Sequence, residues 1–146
     1  MTATRPAYDP NNIFAKILRG ELPCHKVHED ERCLVFMDIM PRVDGHALVV
    51  PKAPSRNILD AAPEDLGHLI AVAQKVARAG MAAFNADGIS ISQFSESAGG
   101  QVVFHTHIHV LPRHAGVDMR PPGIKADDAA LAEHARRLAT ALDALD

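Results

Sequence analysis

The sequence predicts one α+β domain, an antiparallel sheet of about five strands with a single long helix packed on it. Three observations carry that expectation. Short runs at 25–28, 33–38, 47–50, 88–94 and 101–113 have the alternation or the apolar, β-branched composition of strands. A run from 63 to about 84 repeats its apolar residues at helical spacing. The chain has 146 residues, 47% of them hydrophobic, which is ordinary for a globular chain and long enough to bury a real core.

In chain order, residues 1–10 hold two prolines and no pattern, and are expected to form a loose arm. Asn11 or Asn12 can cap a short helix from Ile13 to Arg19, stopped by Gly20, with Ile13, Phe14 and Ile17 as its apolar stripe. On the residues alone, Phe14 and Ile17 read as core packing. The strands at 25–28 and 33–38 are joined by the charged turn Glu29-Asp30-Glu31-Arg32, and Leu34 and Phe36 share one face of the second strand. Asp38 closes that strand just before Pro41. An Asp in such a place usually accepts backbone N–H groups of the turn; a carboxylate also suits two sugar hydroxyls, because it offers two oxygens and no donor.

His46 opens an apolar run, 47–50, that ends at Pro51 and reads as a central strand. Pro63 with Glu64 and Asp65 starts the long helix, whose buried stripe is predicted as Leu66, Leu69, Ile70, Ala73, Val76, Ala77, Met81 and Phe84. His68 falls amid these and reads as packing or surface. Ile89 and Ile91 alternate with Ser90 and Ser92 in the next strand. The small-residue loop 95–100 follows, and the N–H groups of such a turn can bind an oxyanion. Asp127 or Asp128 is expected to cap a last helix with Leu131, Ala135, Leu138, Leu142 and Leu145 inward and His134 off the stripe.

Bulk properties exclude more than they assign. Net charge is −3, from 15 basic and 18 acidic residues, so no basic field recruits nucleic acid or anionic lipid. Any affinity for a phosphorylated ligand has to be local. Cys24 and Cys33 lie nine apart and make no metal-type pair with each other; two Cys in a chain this size suggest reduced thiols and a cytoplasmic protein. Met1 to Pro10 contains no apolar core of a secretory signal, and no stretch is apolar enough to span a membrane.

The chemistry concentrates in 101–113, which reads as a strand ended by Pro112. Its alternation places Val103, His105, His107, His109 and Leu111 on one face, and Val102, Phe104, Thr106, Ile108 and Val110 on a core-facing side. Three imidazoles then project together, roughly 6.5–7 Å apart at the backbone per two-residue step. Three readings compete: a solvated strand face, a metal site, and acid–base or covalent chemistry. The first and third His would be about 13 Å apart at the backbone, awkward for one ion, so geometry favours covalent chemistry with one imidazole as nucleophile and its neighbours fixing tautomer and charge.

His105-Thr106-His107-Ile108-His109-Val110-Leu111 resembles the His-x-His-x-His-x-x motif of the histidine triad family. The flanking Gly99-Gly100-Gln101 and Pro112-Arg113 are similar as well, as are Phe36-Met37-Asp38-Ile39-Met40-Pro41 and Gly45-His46-Ala47-Leu48-Val49-Val50-Pro51-Lys52. The resemblance spans roughly residues 11–114 of a single domain, with a C-terminal helical extension over about 126–146. It implies a nucleotide hydrolase or transferase acting at an α-phosphate, usually as a homodimer. His107 would be the nucleophile, His105 would hold its tautomer, and His109 with N–H groups near Gly100 and Gln101 would stabilise phosphoryl charge. Gln101 would orient the leaving group or water, and His46 would support the triad from behind. Asp38 would bind ribose, with Ile39, Phe14 and Ile17 about the nucleoside and Ser95 and Gly100 by the ribose or phosphate.

The resemblance implies no metal for the chemistry, though a polyphosphate substrate can bring Mg²⁺ with it. Some bacterial relatives hold a structural zinc with Cys-x-x-Cys where this chain has Asn12 and Ala15, so no zinc of that kind is expected. Two further departures are Phe94-Ser95, where relatives usually have Asn, and Val102, where one branch has Ser facing the leaving group. The phosphoramidate and dinucleoside polyphosphate branches stay open on the sequence. So does a nucleotide- or metal-binding protein without turnover.

Overall fold

A computed structural model describes residues 6–145. Its elements run α1 (Ile13–Leu18), β1 (Lys26–Glu29), β2 (Cys33–Met37), β3 (Ala47–Pro51), α2 (Pro63–Ala83), β4 (Gly88–Ser92), β5 (Ile108–Arg113) and α3 (Asp128–Asp143). The five strands form one antiparallel sheet in the order β1-β2-β3-β5-β4. That is the α+β architecture the sequence predicts. The arm expected over 1–10 lies outside the described residues up to residue 5.

Alternation sorts the two faces. Cys33, Val35 and Met37 of β2, with Ala47 and Val49 of β3 and Ile108 and Val110 of β5, pack beneath Leu69, Val72, Ala73, Val76 and Ala79 of α2 and Leu131, Ala135 and Leu138 of α3. Leu34, Phe36, Leu48 and Val50 point the other way and meet Phe14 of α1, with Ile17 partly buried beside them. Covered on both sides, β2 and β3 are buried throughout.

The α2 stripe differs from the prediction in detail. Ile70 and Met81 are exposed, while Val72, Ala79 and Gly80 are buried. Leu69 is already centred on the sheet, so Ile70, about 100° round the helix from it, turns outward. Ile13 on α1 is exposed for the same reason. Asn12 caps α1 through Ala15 N–H, Asp127 caps α3 through Ala130 N–H, and Leu145 lies beyond α3 and is exposed. His134 sits edge-on to Phe84, 5.3 Å between ring centroids.

The last strand is shorter than predicted at its start and longer at its end. Ile108–Arg113 is regular and 101–107 is not. Pairing with β3 stops at Ile108↔Val49, and beyond it Thr106 N–H donates to the Ser55 carbonyl instead. Val102, expected on the core-facing side, is 84% exposed. Pro112 does not end the strand: it faces Ile89 of β4, past the end of the β3 ladder, where the missing N–H leaves no carbonyl unpaired.

Gly45 turns the chain into β3 at φ +85°, and a Cβ there would stand 2.6–2.9 Å from the Phe84 ring. Gly45→Ala therefore combines left-handed strain with overpacking against a buried aromatic. A loss of about 2–4 kcal/mol in unfolding free energy is expected, read by denaturant titration; a loss below about 1 kcal/mol would mean that Phe84 moves aside freely.

Candidate active site

The three His reach one region by different supports. His109 is on β5 opposite Leu48, so it projects to the α1 side of the sheet. His107 and His105 lie in the irregular approach to that strand, and both are buried. The His107 and His109 rings meet edge to face at 4.9 Å between centroids. Phe14 and His107 stand edge to face at 4.8 Å between centroids, and Phe94 lies against His109 at 5.4 Å.

Hydrogen bonds fix each tautomer. His107 Nδ1 is 2.6 Å from the backbone carbonyl of His105, so Nδ1 carries the proton and Nε2 keeps its lone pair. His46 Nδ1 accepts from Arg42 N–H at 3.0 Å, which leaves Nε2–H of His46 to donate to His109 Nδ1 at 2.9 Å. His109 therefore turns Nε2–H outward as a donor. His105 Nε2–H donates to the Pro51 carbonyl at 2.8 Å, and its Nδ1 accepts from the Tyr8 hydroxyl at 2.7 Å. One lone pair and one N–H thus stand on adjacent, edge-to-face rings.

Burial keeps all four rings neutral. It lowers His105 and His107 below the ordinary imidazole value, and it takes His109 down to about 4, with the His107 charge adding to the effect. His46 falls to about 3, through burial first and then His109. A neutral imidazole is what a nucleophile needs.

The geometry specifies how several of the expected site residues are held. His107 is held by the backbone carbonyl of His105, while the His105 imidazole faces Tyr8 and Pro51. Gln101 is 5% exposed and fully bonded: Oε1 accepts from Asn57 Nδ2 and Glu96 N–H, and Nε2 donates to the carbonyls of Arg56 and Val103. With all four positions occupied, the side chain braces the loop in this structure. The N–H groups of Gly100 and Gln101 are also engaged, donating at 3.0 Å to the carbonyls of Ser97 and Glu96. A 3₁₀ turn, Ser97–Gly99, forces this inward closure.

Around the His pair, Asp38 accepts Met40 N–H through Oδ1 and lies 3.6 Å from His46 Nε2 through Oδ2; burial raises its pKa. Ile39 is 45% exposed beside it, and its carbonyl accepts Ala126 N–H. Ser95 Oγ accepts from Gln93 Nε2 at 3.0 Å. Asp38, His46 and His109 each bring a ligand atom within 4.8 Å of the others, but the His46–His109 hydrogen bond already uses one nitrogen of each ring. Tyr8, Arg42 and Asn57 carry no signal in the sequence, whereas Phe94 stands there only as a departure from relatives. Backbone donors and residues remote in sequence leave no periodic signal.

Comparison with known proteins places the fold and sequence in a family. A family model described as HIT domain matches residues 19–116. A solved structure of a Hit-like protein from Bartonella henselae is similar at TM-score 0.90 and 47% identity, covering 93% of this chain and 99% of that one. A structure from Sulfolobus tokodaii, described as a hypothetical histidine triad nucleotide-binding protein, is similar at TM-score 0.84 and 28% identity, over 90% of this chain and 92% of that one. The adenylylsulfatase HINT3 of Arabidopsis thaliana is 36% identical over 101 residues, which is 69% of this chain and 51% of that protein. On these matches the chain belongs to the HIT, or histidine triad, family.

Proposed function

We propose that the protein binds a nucleoside phosphate conjugate and transfers its nucleotidyl group through His107. The observation that carries this reading is the lone pair of His107 Nε2, directed by the bond from Nδ1–H to the His105 carbonyl. In the first step Nε2 attacks the α-phosphorus. A P–N bond forms while the bond to the leaving group breaks, and the leaving group takes the electron pair. Water then attacks the same phosphorus, the P–N pair returns to His107, and the water proton goes to solvent with release of the nucleoside monophosphate.

His109 Nε2–H supports the reading as a fixed donor for a phosphoryl oxygen, since phosphoryl transfer depends mainly on positioning and charge stabilisation. Asp38 is offered as the ribose acceptor, Ile39, Phe14 and Ile17 as nucleoside walls, and Ser95 and Gly100 as the rim near ribose or phosphate. The chemistry as drawn asks for no resident metal; Mg²⁺ would come with a polyphosphate. A cytoplasmic location fits the free Cys24 and Cys33, and among the described residues no helix is long and apolar enough to cross a membrane.

The test is early quenching with adenosine phosphoramidate, diadenosine tetraphosphate and adenylyl sulfate in chelator, followed by intact mass. An adenylylated protein is expected with at least one of them, and the fastest identifies the leaving group. Adenylyl sulfate is included because the Arabidopsis relative is named for it. Product without any adduct under single-turnover conditions would sink the covalent route.

A homodimer belongs to the same proposal. β4 is an edge strand, paired only with β5, and exposed Ile91 and Ile70 line an apolar groove between it and α2. Sedimentation should show a dimer that Ile91→Lys converts to monomer; a monomeric parent protein would refute the interface.

A further inference from the structure

On the opposite side of the chemistry, the turn between β1 and β2 collects a second set of metal-ligand side chains. Asp30 Oδ1 accepts the N–H groups of Arg32 and Cys33, both at 2.8 Å, as an Asp in a tight turn does. Its other oxygen, Oδ2, has three side chains converging on it. His68 Nε2 comes from α2 at 2.9 Å, His28 Nε2 from β1 at 3.3 Å, and Cys33 Sγ from β2 at 3.4 Å. A carboxylate has about four lone-pair positions, and five donors crowd this one. Ordinary turn capping accounts for the two backbone donors. It does not account for two imidazoles and a thiol on one oxygen.

We propose that His28, Asp30 and Cys33 form a binding site for a divalent transition metal of the zinc class, with His68 holding the Asp30 carboxylate in place. The ligand atoms of the three lie within 4.8 Å of one another. Mixed imidazole, thiolate and carboxylate donors are the set that zinc, cobalt and related ions select over magnesium or calcium. His28 and Asp30 are partly exposed while Cys33 is fully buried, so an ion has an entrance and an inner anchor. The nearby cations Arg32 and Lys52 are drawn to Asp65 and Glu29.

Metal binding replaces the proton on Cys33: the S–H bond breaks, the sulfur binds the ion through its electron pair, and the proton passes to solvent. Burial first, and then the Asp30 charge, push the Cys33 thiol up to about 12 without an ion. A dication reverses both effects, because it neutralises Asp30 and the new thiolate together. The site ties the β1–β2 turn to α2, away from His107 and His109. Its signal in sequence is His28-x-Asp30-x-x-Cys33, which the Cys24–Cys33 comparison passes over, and His68 adds to it only through the fold.

Cobalt(II) added to the chelator-stripped full-length protein tests the site. One equivalent should produce a near-ultraviolet thiolate-to-cobalt band. The cluster at Asp38, His46 and His109 contains no sulfur, so it cannot produce that band. Cys33→Ala should abolish the band and Cys24→Ser should leave it. Should Cys33→Ala not fold, His28→Ala supplies the same test at a partly exposed position. His28→Ala should weaken cobalt affinity by more than tenfold, and His68→Ala, which loosens an orienting partner, by about 10–100-fold. Cobalt bound without a sulfur band, a band that survives Cys33→Ala or unchanged affinity in His28→Ala would overturn the site.

Discussion

His107→Ala is expected to lose at least about 10⁴-fold in turnover and to form no nucleotidyl adduct, the scale seen when a covalent nucleophile is removed. No neighbour can take its place. His109 presents N–H, and both nitrogens of His105 are engaged by Tyr8 and Pro51. Nucleotide affinity should change far less than turnover, because the expected ribose contact is at Asp38. Deleting the ring also leaves a gap beside Phe14, so the unfolding midpoint of the variant is measured in parallel. A folded variant that still accumulated adduct would place the nucleophile elsewhere.

Acid is expected to unfold the protein over the range in which ordinary histidines begin to protonate. His46 titrates at about 3 and His109 at about 4 in the folded chain, against about 6.5 when unfolded. Between those limits the unfolded chain binds more protons, so stability falls as pH falls. Each such group costs at most about 1.4 kcal/mol per pH unit there, and two of them reach several kcal/mol by pH 4, comparable with the whole stability of a domain. Asp30, also held low, loses stability in the same direction at lower pH, whereas the raised pKa of Asp38 offsets part of the loss. Denaturant titrations from pH 7 to 4.5 should show a falling midpoint. His46→Gln, which removes one titrating group, should flatten the slope; a slope unchanged by that substitution would remove His46 from the account.

The sheet was legible because alternation decides it. Cys33, Val35 and Met37 against Leu34 and Phe36 already name the two faces of β2. The His spacing was legible too, although the regular strand reaches back only to Ile108. Its earlier half is shaped by Ser55, whose carbonyl and hydroxyl engage the N–H and hydroxyl of Thr106, 51 residues away. No local pattern announces a bond of that kind. Gln101 shows the same limit: its type suits either chemistry or bracing, and only its four partners decide. Tyr8 sits in a patternless arm and is found through its hydroxyl on His105.

Glu96 holds φ 65° and ψ 163°, a backbone conformation that essentially only glycine adopts without strain. Its carboxylate receives Arg56 through Nε at 2.8 Å and Nη2 at 3.0 Å, and Asn57 at 2.7 Å. For a lineage drifting by single substitutions, these positions are not independent. Glu96→Gly relieves the backbone but abandons a bidentate Arg56, whereas in a chain that has already lost Arg56 the same change costs much less. Either order passes through an intermediate without the ion pair, and only the one that begins with Glu96→Gly also sheds the backbone strain, so that order has the more stable intermediate.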